Sequence, residues 1–234
     1  MPVKNAVRIQ NSLLNGMEKK ALTWLAARQP KWVVSDMLTV VGIIGAAMIG
    51  AGFILCCHNI HWLWLSIAGF IVNWYGDSLD GSLARYRNTQ RPIYGYYLDH
   101  TVDVINEAFM FFGVGLSCLM RLDIALMIFI AYLCITLNVS INAHLKSEFK
   151  LTYGKLGPTE FRVIACILIM VIIFVPALRD FHTTLSLFGQ DIPLGPLDIP
   201  GIVIFIVLMV IYICSVISDA KDYSLRDPLP KSDN

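Results

Sequence analysis

Charge is scarce in this 234-residue chain: Asp, Glu, Lys and Arg make up 15% of it, and the formal net charge is +1. So even a balance excludes a strong field of either sign, and with it the electrostatic footprint of a nucleic-acid-binding protein. Internal repeats and low-complexity tracts are also missing, which excludes solenoids and arrays. The six cysteines, Cys56, Cys57, Cys118, Cys134, Cys166 and Cys214, show no C-x-x-C spacing. That argues against a disulfide or zinc framework and predicts buried free thiols. The first 30 residues lack a continuous apolar core, so no cleavable signal is expected and the first span must itself direct insertion; neither end carries a lipidation motif. What is plentiful is apolar surface. At 56% hydrophobic residues the chain is too apolar for an ordinary soluble domain and reads as an all-α, polytopic integral membrane protein.

Against that background four aspartates stand out. Asp77 and Asp80 are spaced i,i+3, and Asp99 and Asp103 are spaced i,i+4, so on helices each pair shares a face and the two faces can meet. An Asp at mid-membrane costs roughly 2.5 to 3.5 kcal/mol, so four unpaired ones would cost on the order of 10 kcal/mol or more. In the sequence only Arg85 is near enough to offset them. Two divalent cations would, and a set of hard oxygen ligands without Cys or His suits Mg²⁺ or Mn²⁺ rather than Zn²⁺. Gly81 follows the second Asp, and Gly95 lies one turn before the third. Each removes a side chain where a bulky ligand needs close backbone approach, which suggests a diphosphate held between metals and bare backbone.

Asp77-x-x-Asp80-Gly81-x-x-Ala84-Arg85 followed by Gly95-x-x-x-Asp99-x-x-x-Asp103 resembles the signature of the CDP-alcohol phosphotransferases, integral membrane enzymes of phospholipid synthesis. The gap from Arg85 to Gly95 is nine residues where eight is commoner; it falls in a connecting loop. The resemblance implies two Mg²⁺ or Mn²⁺ ions per active site on Asp77, Asp80, Asp99 and Asp103. It also implies Asp103 as base on the acceptor hydroxyl, and Gly81, Ala84 and Arg85 as the cradle for CMP. Further donor contacts are expected from Asp36, Thr39, Arg91 and Gly95.

In chain order, residues 10–29 place Leu14, Met17, Ala21, Trp24, Leu25 and Arg28 near one stripe and predict an amphipathic helix lying in the membrane interface. Six spans follow, at about residues 32–57, 61–85, 94–119, 123–145, 158–177 and 199–217. Asp36 is expected to cap the first, and Asn73 to orient a carboxylate from one turn deeper than Asp77. Asn106 or Glu107 would continue the polar face of the third span. Pro158 and Glu160 suit the start of the fifth. The division is therefore 1–31, a cytoplasmic N-terminus with its interfacial helix; 32–218, a six-helix catalytic domain; and 219–234, a cytoplasmic polar tail. Lys and Arg gather before span one, between spans two and three, between spans four and five (Lys146, Lys150, Lys155, Arg162), and at the C-terminal end. The other side has only Arg121 and Arg179. By the positive-inside rule both termini and the aspartates face the cytoplasm.

The expected reaction moves a phospho-alcohol group from a CDP-linked donor to a lipid or small-alcohol acceptor. Asp99-His100-x-x-Asp103 and Gly157-Pro158-Thr159-Glu160 look more like the choline/ethanolamine phosphotransferase branch. The chain is shorter than eukaryotic members of that branch, and a bacterial inner membrane is expected ahead of the endoplasmic reticulum. The alternative is a CDP-diacylglycerol-dependent transferase acting on inositol phosphate or glycerol phosphate, with Arg91, Lys146, Lys155 and Arg162 as a basic pocket. A cation-coupled transporter is the remote alternative, since intramembrane carboxylates also mark ion pathways; it predicts acids spread along a path and inverted repeats, and neither is visible. Besides membrane lipids, the resemblance implies a second copy of the chain as partner, with Gly113 and Gly115 admitting close approach.

Overall fold

A computed structural model describes residues 7–9, 14–146, 148–150, 157–187 and 190–228. Eight α-helices run through them: α1 Asn15–Arg28, α2 Ser35–Leu55, α3 Leu63–Tyr86, α4 Pro92–Gly115, α5 Leu122–Lys146, α6 Pro158–Phe174, α7 Pro176–Arg179 and α8 Asp198–Arg226. The six long ones from α2 onward fall where the six spans are expected. Of these, α2, α5 and α8 are long and apolar enough to cross a membrane by length and composition. The class is all-α and membrane-embedded, with two small sheets that the sequence reading did not anticipate. Strand β1 (Val7–Ile9) pairs in parallel with β2 (Glu148–Lys150), Val7 opposite Glu148; β3 (Thr183–Leu187) and β4 (Gln190–Leu194) form an antiparallel hairpin in the connector before α8.

Helices α2 and α3 form the centre, with α4 against α2, α6 against α3, α5 against α4, and α8 chiefly against α5. Glycine makes the α2–α3 contact possible. A Cβ on Gly45 would sit 2.7 Å from the Asn73 Cα and 2.8 Å from the Gly69 carbonyl oxygen, so only a bare backbone fits. The same holds between α2 and α4, where Gly113 lies directly on the Gly50 backbone. Gly115 packs on Leu122 and Ala125. The two glycines expected to admit a second copy are therefore packed inside the chain, on α2 and α5.

Ile49, Phe53, Leu63, Phe70, Ile169 and Ile172 fill the core at one end of the bundle; Leu38, Leu79 and Leu83 join Leu22 and Ala26 of α1 at the other. Helix α1 thus meets the bundle through Leu22 and Ala26, leaving Met17 and Trp24 of the predicted stripe exposed. Polar contacts fix it in place: Glu18 Oε1 accepts from Trp74 Nε1 at 3.1 Å and from the Thr159 hydroxyl at 2.6 Å. The predicted stretch 10–13 lies outside the described residues. Elsewhere the outer faces carry exposed Ile44, Ile71, Ile130, Val203 and Ile217, which suits a surface solvated by lipid tails.

Helix ends differ in places from the sequence reading. Asp36 lies in the first turn of α2 without capping it; the cap residue is Val34, which makes no side-chain cap, and Asp36 Oδ2 instead accepts from Tyr94 OH at 3.2 Å. The fifth span breaks at Pro176, which cannot continue the helical ladder. The predicted polar tail is helical as far as Arg226, because Asp219 accepts from the side-chain amides of Asn138 (3.1 Å) and Asn142 (2.7 Å) and holds the end of α8 on α5. Glu160 behaves as expected: it accepts from the Gly157 N–H at the start of its own helix (3.0 Å) and from the Leu14 N–H ahead of α1 (2.8 Å).

Candidate active site

Helices α3 and α4 meet α2 from two sides, and that packing turns their acidic faces toward one another. Carboxylate oxygens of Asp77, Asp99 and Asp103 all lie within 4.8 Å of one another. Asp77 and Asp103 are half-buried, while Asp99 is exposed at the cavity mouth. Asp80 is held apart from this trio: the Thr39 hydroxyl donates to its Oδ2 at 2.7 Å, its own carboxylate takes the Gly81 N–H, and Ser35 Oγ donates to its carbonyl at 2.9 Å. The expected four-carboxylate cluster is three carboxylates with a fourth turned aside. Three residues along a helix is 300°, so Asp80 points about 60° away from Asp77, toward α2 rather than α4.

The positive partner of Asp77 is Arg162, not Arg85. Arg162 Nη2 donates to Asp77 Oδ2 at 2.5 Å, and its Nε donates to Asn73 Oδ1 at 3.1 Å. Asn73, fully buried, closes the chain by donating Nδ2 to the Gly42 carbonyl at 3.0 Å. Asn73 therefore does not touch a carboxylate as predicted; it aims the guanidinium that does. Arg85 Nη2 donates to Ser82 Oγ at 3.1 Å, one turn back on its own helix. Arg87 ties the end of α3 to the segment before α2 through the carbonyls of Val33, Gln29 (3.0 Å) and Pro30 (2.8 Å). The loop that carries the extra residue turns at Asn88, with φ 56°, a left-handed conformation that Asn tolerates.

A cavity of about 3050 Å³ opens at this cluster. Its polar mouth includes Asp36, Gly81, Ala84, Arg85, Arg91 and Gly95 beside the aspartates. Thus all the sequence-predicted donor contacts line one space, and Thr39 lines it as well. A Cβ on Gly95 would meet nothing within 4 Å, so that glycine leaves open room. Arg91 stacks its guanidinium over the Tyr94 ring at 3.8 Å, which fixes a cation at the rim. His100 lines the cavity beside the cluster: its Nδ1 lies 3.0 Å from the Tyr96 carbonyl and 3.8 Å from Asp99 Oδ2, and its ring packs on Tyr96 at 4.1 Å. Deeper in, past Glu107 and Tyr132, the walls become apolar, with Leu168 and Ile172 from α6 and Ile204 and Leu208 from α8. Asn106 is 5% exposed and its Oδ1 has no hydrogen-bond partner, nor has Glu107 Oε2.

The donor set fits divalent magnesium or manganese. Three carboxylates converge without a thiolate or imidazole among them, which is hard-oxygen chemistry. Of the basic pocket expected for a phosphorylated acceptor, Arg91 and Arg162 line the cavity, but Arg162 is already engaged by Asp77. Lys155 lies outside the described residues, and the side chain of Lys146 is not described.

Fold and site define a membrane-embedded helical protein with an acidic centre open both to a polar mouth and to an apolar chamber. The chain belongs to the CDP-alcohol phosphatidyltransferase family, whose profile matches residues 32–217. It is 36% identical to a phosphatidylinositol phosphate synthase of Cutibacterium acnes over 86 residues, 36% of this chain and 38% of that protein. It is 23% identical to cholinephosphotransferase 1 of Gallus gallus over 157 residues, 64% and 47% of the two chains. An archaetidylinositol phosphate synthase of Pyrococcus horikoshii is 28% identical over 92 residues, 39% and 46%. The matches thus span less than half of each relative. Membership makes the chain one of a group of phosphotransferases, and the relatives come from more than one branch of it.

Proposed function

We propose that the chain transfers a phospho-alcohol group from a CDP-linked donor to a hydroxyl acceptor and releases CMP. The observation that carries this reading is the convergence of Asp77, Asp99 and Asp103 at the junction of a polar mouth and an apolar chamber. Gly81, Gly95, Ala84 and Arg85 would receive the nucleotide, with Asp36, Thr39 and Arg91 around it. Asp77, Asp99 and Asp103 would hold the divalent cations, with Asp80 joining them by releasing Thr39. When bound, two such ions neutralise charge on the diphosphate and on the leaving phosphate. The acceptor oxygen forms a bond to the β-phosphorus, the bond from that phosphorus to the bridging oxygen breaks, and CMP leaves with the electron pair. The acceptor proton passes to the Asp103 carboxylate.

Between branches, the reading takes the one in which a small alcohol is CDP-linked and a lipid hydroxyl accepts. It is supported by the Asp99-His100 and Gly157-Pro158-Thr159-Glu160 runs and by the long match to a cholinephosphotransferase. A second reading, a CDP-diacylglycerol donor with a phosphorylated alcohol as acceptor, is favoured by the higher identity to a phosphatidylinositol phosphate synthase. Purified protein should be assayed with a panel of radiolabelled CDP-alcohols and with CDP-diacylglycerol. Label from a CDP-alcohol is expected in lipid only when Mg²⁺ or Mn²⁺ is present. Full turnover in excess chelator, or inertness toward the whole panel, would sink the reading.

The proposal extends to architecture: six spans, a catalytic domain at 32–218 flanked by 1–31 and 219–234, and both chain ends with the aspartates at the cytoplasmic face of a bacterial inner membrane. The gathering of basic residues at one end of the helices supports it. A protease-sensitive tag on either terminus should survive protease added to intact cells and be cut in inverted vesicles. Cleavage from outside would reverse the topology.

A further inference from the structure

At the far end of α2 from Thr39 and Gly42, which touch Asp80 and Asp77, and roughly 20 to 25 Å along the helix, three sulfur atoms come together. Cys56 is the C-terminal cap residue of α2, Cys57 follows it, and Cys118 lies in the turn between α4 and α5. Gly50 and Gly113, in backbone contact, draw these two helix ends close. The sulfurs of Cys56, Cys57 and Cys118 lie within 4.8 Å of one another. Cys56 Sγ and Cys118 Sγ are 4.0 Å apart, and the Cys118 N–H donates to Cys57 Sγ at 2.7 Å. All three are free thiols; Cys56 is buried, while Cys57 and Cys118 open to the surface.

The spacing discriminates among the uses of three thiols. A disulfide joins two sulfurs at about 2.05 Å and would leave the third thiol of the group over. Three sulfurs around one cation at about 2.3 Å each would stand about 4.0 Å apart in a trigonal plane, which is the separation found between Cys56 and Cys118. The group contains no imidazole and no carboxylate. Structural Zn²⁺ takes four ligands, whereas an all-sulfur set of three suits a softer ion.

We propose that Cys56, Cys57 and Cys118 form a trithiolate site for a soft monovalent cation, Cu(I), which pins the end of α2 to the turn after α4. Three S–Cu bonds form as the thiol protons leave to water, with no change of oxidation state. The site is independent of the aspartates and of the transfer reaction.

Full-length protein in detergent, kept anaerobic and reduced, should withdraw one Cu(I) per chain from a chromogenic Cu(I) chelator, and its thermal midpoint should rise with the metal. Outer-sphere changes at metal sites cost 10- to 100-fold in affinity, so loss of a ligand in Cys118→Ser or Cys57→Ser should cost at least about 100-fold. Both positions are exposed, and both variants should fold. Cys134→Ser, on α5, and Asp77→Asn should bind Cu(I) as the native chain does. Failure of the native chain to withdraw Cu(I), equal withdrawal by Cys118→Ser and Cys57→Ser, or retention of Zn²⁺ but not Cu(I) would each overturn the site.

Discussion

Asp103→Asn is expected to lower transfer turnover by about 10² to 10⁴ while leaving donor affinity near that of the native chain. The substitution keeps an oxygen and almost the same shape, but the amide cannot take the acceptor's proton, and loss of a general base typically costs that factor. Asp103 is placed for the role by its neighbours: it lies one turn deeper than Asp99 on α4, half-buried, where the cavity passes from its polar mouth to its apolar wall. Asp77→Asn should behave differently. It removes the anionic partner of Arg162, whose side chain is 15% exposed against 22% for Asp77. Breaking a buried pair from one side costs about 3 to 5 kcal/mol, and the partial exposure here lowers that. Donor affinity and thermal stability should therefore fall together in Asp77→Asn. His100→Ala tests the competing base, because His100 Nδ1 lies 3.0 Å from the Tyr96 carbonyl and 3.8 Å from Asp99 Oδ2. Turnover abolished in His100→Ala, with Asp103→Asn near native, would show the proton going to the wrong residue in this scheme.

The second large effect is mechanical. Gly45→Ala should cost about 3 kcal/mol or more, at the upper end of overpacking penalties, because the added methyl meets backbone rather than a side chain that could rotate away. The atoms it would strike belong to Asn73, which aims Arg162 at Asp77, so the damage should reach the acidic centre as well. Gly95→Ala is the matched control, since its methyl would enter open space; it should fold normally and weaken donor binding alone. Thermal melts and size-exclusion profiles in detergent would read both. A Gly45→Ala protein melting with the native one would mean that α2 and α3 can separate at little cost.

Helix-period spacing made the acidic faces of α3 and α4 legible in the sequence, because i,i+3 and i,i+4 pairs share a face whatever the tertiary context. The long helices were legible too, although of the six expected spans only α2, α5 and α8 are long and apolar enough to cross a membrane. What escaped was everything that depends on which helices touch. Arg162 is 85 residues from Asp77, and nothing in local spacing links them. Its nearest sequence signal was its place in the fifth span's opening turns, where positive-inside charge gave it another explanation. The 60° offset of Asp80 was implicit in its spacing, but its turn toward Thr39 required knowing that α2 packs there. The cysteine trio was hidden for the same reason: Cys57 and Cys118 are 61 residues apart and meet only because Gly50 and Gly113 let two backbones touch.

The deep part of the cavity is walled by α6, which packs on α3, and by α8, which packs chiefly on α5. On the proposed reaction, a lipid acceptor reaching the aspartates between those two walls would come sideways out of the bilayer without dissolving in water. In that reaction its encounter rate would then be governed by two-dimensional diffusion, and turnover would saturate with the surface mole fraction of that lipid. Diluting the membrane with inert lipid should slow turnover at constant bulk acceptor, whereas diluting the vesicles should not.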